Sequence, residues 1–289
     1  MRIVNPSFEI LPQGEGINGV YELIEQAGRT CYKSENKIAP GTAKEFVDRM
    51  IKSEHYAMLE HGTVYLKFET LARAEKYLNN KYSEVRTCYG SFYVTTNLRV
   101  LVENGWLDEL SYVCEPTEYH EKRVTVLFHT QIAISREFNR HRVNSMAESS
   151  TRYCNYSKEK FGNEITINKP SWVLIEGEES LPLLLQSYCR LIADKGANLS
   201  MQAIDWWYFA NMASELAYMK LIECGKKPQE ARVVLPLDTN TDLAHTAFVS
   251  DWKHFFDLRA LDKTGPAHPD AKALALPLYE LFKEKHIID

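Results

Sequence analysis

Apolar positions recur every three to four residues over Asn18–Gly28, with Val20, Leu23 and Ile24 on one face, and this spacing predicts a helix that ends near Gly28. The same period over Thr42–Lys52, through Phe46, Met50 and Ile51, and over Leu71–Asn80 predicts two more helices. Between these helices Thr63–Phe68 alternates with the period of a strand. Residues 1–11 read as a short strand followed by a loop, and Asn97 stands where it would cap a short helix ending at Gly105. Val124–Ser135 is rich in β-branched residues and apolar on both faces, so it is predicted to be a buried strand.

The second part of the chain changes period. Leu181–Asp194 and Leu199–Cys224 carry long helical patterns, the latter stopping before Gly225. Pro228 suits the first turn of another short helix, with Val233–Leu237 extended after it. Ser250 is placed to cap a helix running to Leu261, and Pro269 to open a last helix that Pro277 kinks. Residues 158–180, with Gly162, Pro170 and Gly177, form the candidate loop between a strand-containing half and a helical half. The pattern predicts a single α+β domain over residues 1–289: a central, mostly antiparallel sheet flanked by long helices.

Composition narrows the class. With 289 residues, 45% hydrophobic and 25% charged, the chain is long enough to bury a real core, which excludes a disordered chain or a small disulfide scaffold. A net charge of -5 argues against bulk attraction to nucleic acid and leaves room for a local basic site. The six cysteines form no CxxC, which removes zinc-ribbon and thioredoxin motifs. The stretch MRIVNPSFEI lacks the apolar core of a signal peptide, and the uncharged run Val124–Ser135 is too short to span a bilayer. These features lead us to expect a reduced, cytoplasmic protein with no membrane contact.

Most short motifs carry little. Gly14-Glu15-Gly16-Ile17-Asn18-Gly19 matches GxGxxG, but no buried strand leads into it and no second strand ends in an acid behind it, so it reads as a loop before a helix. GxSxG, GxxxxGK[ST] and HExxH are absent from the sequence. His245, His254 and His268 lack acids at metal spacing, and no metal is expected. The informative stretch is Arg136–Tyr153, directly after the predicted buried strand. Arg136, Arg140, Arg142 and Arg152 are interleaved there with His141, Ser145, Ser149, Ser150 and Thr151. Guanidinium forks among hydroxyls suit a phosphate-bearing ligand. A solvated basic patch has the same composition, and the residues alone leave both readings open.

Arg140-His141-Arg142, seven residues, then Ser150 is RHRx7S, which resembles the signature of flavin-dependent thymidylate synthases. Three further blocks follow that family's order. His55 to His61 resembles its HxxxxEH segment, Ala231 to Leu237 its ARxxLP segment, and Phe255 to Arg259 its FLxLR helix. The other thymidylate synthase class attacks with a cysteine in a Pro-Cys-His context, which none of the six cysteines has.

The resemblance implies the thymidylate synthase complementing fold, a homotetramer with shared active sites, and reductive methylation of deoxyuridylate (dUMP) to thymidylate. Methylenetetrahydrofolate would supply the carbon, NADPH the reducing power and bound FAD the transfer, without a covalent protein nucleophile. It implies FAD contacts from His55, Arg140, His141, Arg142, Glu148 and His254. It implies deoxyuridylate contacts from Glu137, Arg140, Glu148, Ser149, Ser150, Thr151, Arg152 and Arg232, with Arg152 on the phosphate. Arg259 would be the catalytic residue that polarises the uracil. Trp206, Trp207, Tyr208 and Phe209 suit either a subunit interface or an ordinary core.

The sequence departs from the family pattern in places. Ala57 replaces a common hydroxyl residue, Glu137 a common Gln, and His254 an Asn; an NAR segment is replaced by Phe248, Val249 and Ser250. A segment of about Thr70–Lys122 reads as an insertion, and its Tyr93–Arg99 run could stand in for the missing segment. Two other functions fit the arginine cluster: an RNA- or nucleotide-binding protein, and a flavoprotein that only oxidises NADPH.

Overall fold

The computed structural model describes residues 1–173 and 202–289, and within these the chain divides into two compact units. The larger contains residues 7–130, 134–150 and 241–289; the smaller contains residues 1–6, 131–133 and 151–240. The predicted helix Leu181–Asp194 and the first residues of Leu199–Cys224 lie outside the described residues.

The N-terminal residues form two short strands, β1 (Arg2–Val4) and β2 (Ser7–Leu11), rather than a strand and a loop. Helix α1 (Gly16–Tyr32) outruns its predicted ends. Gly28 lies inside it because a side chain there would overlap the Phe46 ring, so its absence lets α1 lie close against α2 (Thr42–Lys52). Strand β3 (Thr63–Phe68) matches the prediction and α3 (Leu71–Leu78) ends slightly early.

The segment read as an insertion supplies β4 (Glu84–Cys88), β5 (Ser91–Asn97) and α4 (Leu98–Glu103). Tyr89 and Gly90, both at positive φ, make the two-residue hairpin between the strands. Asn97 accepts the Val100 N–H at 3.2 Å, the expected cap. Strands β3, β5 and β4 form an antiparallel sheet in the order β3-β5-β4, with Thr63 opposite Asn97 and Cys88 opposite Ser91. Ile24, Phe46, Leu59, Val64, Tyr77, Val94 and Leu101 fill its core, so this segment builds the unit rather than decorating it.

The predicted strand Val124–Ser135 divides in two. Strand β6 (Arg123–Gln131) stops at Gln131, and Ile132–Phe138 is helix α5. Buried Ile134, Ser135 and Phe138 have the three-to-four spacing of a helix, which places Arg136 and Glu137 on a helix. Strand β7 (Ser145–Glu148) carries the signature onward, and β8 (Thr166–Asn168) pairs in parallel with β1.

In the smaller unit α6 (Ala203–Glu223) packs Trp207, Tyr208 and Tyr218 with Tyr156, Ile165 and Ile167. Of the aromatic cluster, Trp207 and Tyr208 are therefore core, and Trp206 is exposed. Pro228 opens α7 (Pro228–Ala231), but Arg232–Val234 makes a 3-10 turn where extended chain was expected, and only Leu235, next to Pro236, is extended.

Strand β9 (Asn240–Phe248) was not predicted, because its buried Thr241, Asp242, His245 and Thr246 disguise it as polar chain. It joins a four-stranded sheet, β2-β6-β9-β7, in which β2–β6 and β7–β9 are antiparallel. Helix α8 (Val249–Arg259) starts one residue before Ser250; the Ser250 N–H donates to Glu121 at 3.1 Å, so a distant carboxylate caps the helix instead of the serine. Helix α9 (Pro269–Glu284) opens at Pro269 and contains Pro277. One face of the sheet, through Val126, Phe128 and Leu243, packs on Trp252, Phe255, Phe256, Leu274, Leu278 and Phe282. Leu127, Ala147 and Ala244 pack on Leu23, Ala27 and Cys31 of α1. Burial on both faces explains the unbroken apolar run Val126–Phe128 in β6. Three separate sheets of two, three and four strands thus replace the expected single central sheet. No helix among the described residues is long and apolar enough to cross a membrane.

Candidate active site

The signature leaves α5, turns at residues 139–144 and enters β7, so one chain segment presents a helix end, a turn and a strand. Arg259, at the end of α8, reaches the helix end. Its Nη1 donates to Glu137 Oε2 at 2.7 Å and its Nη2 to the Glu137 carbonyl at 2.9 Å. This two-point grip fixes the guanidinium plane. Arg259 Nε is buried without a partner among the described residues. Glu137 and Arg259 line an open cavity of about 730 Å³ together with Leu258 and the loop Thr264–Pro269.

His141 is buried beside them, its ring 5.8 Å from that of His254 and 5.1 Å from that of Phe255. Burial, reinforced by Arg259 and His254, pushes its pKa down to about 4, so the ring is neutral at physiological pH. Its Nε2 has no partner among the described residues. Behind it, Asn144 Nδ2 meets His245 Nε2 at 2.7 Å, and His245 lies 4.4 Å from the Trp252 ring. Deeper still, His61 Nδ1 meets Thr246 Oγ1 at 2.7 Å, and burial followed by the Arg123 charge lowers its pKa to about 3. Arg123, buried, donates to the Glu60 carbonyl, Thr63 Oγ1 and Ser145 Oγ at 3.0–3.3 Å. Its guanidinium also sits 5.4 Å from the centre of the Phe248 ring. The sequence reading missed this buried polar seam. Its one signal was Arg123, a charge at the mouth of an apolar strand.

At the far end of β7, Glu148 is clasped by three donors: Ser135 Oγ at 2.7 Å, Thr241 Oγ1 at 3.0 Å and Asn139 Nδ2 at 3.3 Å. The Ser149 N–H donates to the Asp242 carbonyl at 2.8 Å, and the Asp242 N–H donates to Ser149 Oγ at 3.0 Å. The Ser150 N–H donates to the Cys31 carbonyl at 3.0 Å. In the smaller unit Arg232 Nη1 donates to Thr151 Oγ1 at 3.2 Å, and the exposed Arg152 lies over the Tyr153 ring.

The structure therefore pairs Glu137 with Arg259, His141 with His254, and Thr151 with Arg232, and ties Glu148 and Ser149 to Thr241. His55, Arg140 and Arg142 are exposed. His55 follows α2, with its N–H on the Met50 carbonyl at 2.9 Å. No group of histidines, cysteines and acids able to hold a metal occurs among the described residues. The GxGxxG segment is not wholly a loop before a helix: Gly14 precedes α1, but Gly16 and Gly19 lie in its first turn, where a side chain on Gly19 would overlap the Gly14 carbonyl group.

These features define an α+β protein with a cluster of arginines and histidines at the end of a doubly buried strand, a donor set chemically suited to an anionic, ring-bearing ligand. The Thymidylate synthase complementing protein family matches residues 82–286, and the chain belongs to that family. The match takes in the signature, Arg232 and Arg259; it begins inside the segment read as an insertion and after the His55 block.

Two curated relatives are flavin-dependent thymidylate synthases. That of Thermosipho melanesiensis is 27% identical over 166 residues, and that of Thermosipho africanus 24% identical over 171. Each alignment covers 57% of this chain and 65% of the relative, so the matched part spans just under two thirds of those proteins' length. Among solved structures, the UMP/dUMP methylase PolB of Streptomyces cacaoi bound with 5-Br dUMP is 16% identical, with a TM-score of 0.42, covering 98% of this chain and 93% of that one. The same enzyme bound with 5-Br UMP is 15% identical, with a TM-score of 0.44, covering 98% and 92%.

Proposed function

We propose that the protein is a flavin-dependent thymidylate synthase that methylates deoxyuridylate to thymidylate, using methylenetetrahydrofolate as carbon donor and NADPH as reductant, and working as a homotetramer. The observation that carries this reading is the grip of Arg259 on Glu137. It brings the helix that leads into the signature and the last block of the family pattern, 122 residues apart, to one cavity. A guanidinium presents a delocalised positive charge on a planar fork of donors. A fixed guanidinium at the uracil edge favours the ionised form of its N3–H and raises electron density at C5, the carbon to be methylated.

The chain's residues fit FAD. His141 Nε2 is an orphaned buried polar atom on a neutral ring, able to donate to or accept from a flavin edge. Arg140 and Arg142 are exposed guanidinium groups suited to a diphosphate. His55 and His254 add imidazole surface. Bound FAD would supply the hydride chemistry. The protein's part is to orient the pyrimidine, hold its phosphate through Arg152 and Arg232, and keep Ser149, Ser150 and Thr151 at fixed positions around the nucleotide. Glu148, already accepting three hydrogen bonds, serves by holding that strand end in place.

The test is the visible absorbance of the purified protein with FAD and then deoxyuridylate, followed by release of tritium from uracil C5. A flavin band that persists through gel filtration and shifts with the nucleotide, with tritium release dependent on the folate, supports the reading. A colourless protein that binds oligonucleotides in a salt-dependent way replaces it with nucleic-acid binding. NADPH oxidation without tritium release replaces it with a simple oxidase.

A further inference from the structure

The strand end that carries Ser149 and Ser150 is held by groups outside the signature. Asp242 on β9 exchanges two hydrogen bonds with Ser149, at 2.8 Å from the Ser149 N–H and 3.0 Å to its Oγ. The Asp242 carboxylate is buried and faces two nitrogens: the Lys33 ammonium, with which it forms an ion pair, and His129 Nδ1 at 3.0 Å. Lys33 is the first residue beyond α1, in the left-handed conformation at φ 48°, with its N–H on the Thr30 carbonyl. Two residues earlier, the Cys31 carbonyl takes the Ser150 N–H. The end of α1 thus grips residues 149–150 at two points, once directly through backbone and once through Asp242.

A buried carboxylate is stable only with its counter-charge in place. Removing the Lys33 ammonium takes away the cation paired with the buried Asp242 carboxylate, which also meets His129 Nδ1 at 3.0 Å. That histidine is itself held toward its neutral form, first by burial and then by Lys33. The least costly response is a shift of the whole residue, main chain included, that brings the carboxylate toward water and loosens the two bonds its backbone makes to Ser149.

We propose that Lys33 is a positioning residue for the nucleotide-binding segment, acting through Asp242. The proposal rests on the reading of residues 149–150 as deoxyuridylate contacts. Its test compares wild type, Lys33→Met, Lys33→Arg, Asp242→Asn and the Lys33→Met/Asp242→Asn double variant. Deoxyuridylate affinity is read by isothermal titration of the FAD-loaded protein, with KM and kcat measured separately.

Lys33→Met should weaken deoxyuridylate binding roughly tenfold. It should leave kcat at saturation within about twofold of wild type, since the reacting groups are untouched. Lys33→Arg should restore most of the affinity. The double variant should bind no worse than the poorer single variant, because both act on one contact. Should Lys33→Met fail to fold, Asp242→Asn, which removes the same ion pair from its other side, carries the same comparison. Unchanged affinity in the single variants, or losses that add in the double, overturns the proposal. A folded wild type that binds FAD but no deoxyuridylate overturns the functional reading, and the proposal with it.

Discussion

Arg259 and Glu137 meet through two hydrogen bonds, one to the carboxylate and one to the backbone carbonyl, so the arginine is oriented by the fold as well as by charge. A single preorganised donor of this kind is typically worth about 10²–10³ in rate. Arg259→Ala should fold, because Glu137 is partly exposed and its carboxylate can turn to water. It should lose turnover by at least that factor. Arg259→Lys should recover little, since an ammonium cannot span both acceptors in the same plane. Single-turnover rates, with circular dichroism as the folding control, decide this; an alanine variant within about tenfold of wild type refutes the role.

Gly19 and Gly16 separate two reasons for a glycine. A methyl on Gly19 meets the Gly14 carbonyl group, which is backbone and cannot swing aside. Gly16 stands at φ 59° in open space, where Asn is tolerated. Gly19→Ala should therefore destabilise by about 1–3 kcal/mol. Gly16→Asn should stay within about 0.5 kcal/mol of wild type. Urea midpoints test the pair, and equal midpoints would show that the loop does not pack as described.

Legibility followed locality. Thr42–Lys52 was readable to the residue because it shows an amphipathic period that its burial obeys, and Thr63–Phe68 because its residue types alternate, although every residue of it but Lys67 is buried. The signature was readable because its residues are contiguous. Strand β9 was hidden because its interior polar groups are satisfied by residues far away in sequence: Thr246 by His61, His245 by Asn144, Asp242 by Lys33 and His129. A strand whose hydrogen-bond partners come from other elements looks like loop when read alone. Helix α5 was missed for the opposite reason, since its apolar residues continue those of β6 without a break in composition. The positions of Arg259 against Glu137 and of Lys33 against Asp242 depend on folding and have no sequence signal beyond the residue types.

The buried histidines make the fold acid-sensitive. His61 titrates near 3 when folded, against an ordinary value of 6.5. The unfolded chain therefore binds more protons between those values, and stability is full above pH 6.5 and falls as pH drops below it. At pH 5 His61 alone should remove about 2 kcal/mol. His141 and His245, whose values are also lowered by burial, act in the same direction. Thermal melting at pH 7.5 and pH 5 measures the drop. His61→Asn, which can retain a bond to Thr246, should flatten the pH dependence while lowering stability at pH 7.5. An unchanged slope in that variant would show that His61 is not the group responsible.

The phosphate contacts can be isolated with a substrate that lacks a phosphate. Arg152 and Arg232 are exposed in the smaller unit, and among the described residues Arg232 donates to the Thr151 hydroxyl at 3.2 Å. A guanidinium so weakly committed can turn to a dianion at little cost, and each charge-assisted contact is worth about 1.5–3 kcal/mol. Arg152→Ala and Arg232→Ala should each raise the KM for deoxyuridylate by roughly one to two orders of magnitude. Neither should change the weak turnover of deoxyuridine, because the contact they remove does not exist there. Arg259→Ala should instead depress both substrates by the same factor, since it acts on the ring they share. The ratio of kcat/KM for the two substrates across the three variants is therefore diagnostic. If Arg152→Ala and Arg232→Ala lower both substrates equally, the arginines support the fold or another ligand, and the phosphate must be held elsewhere.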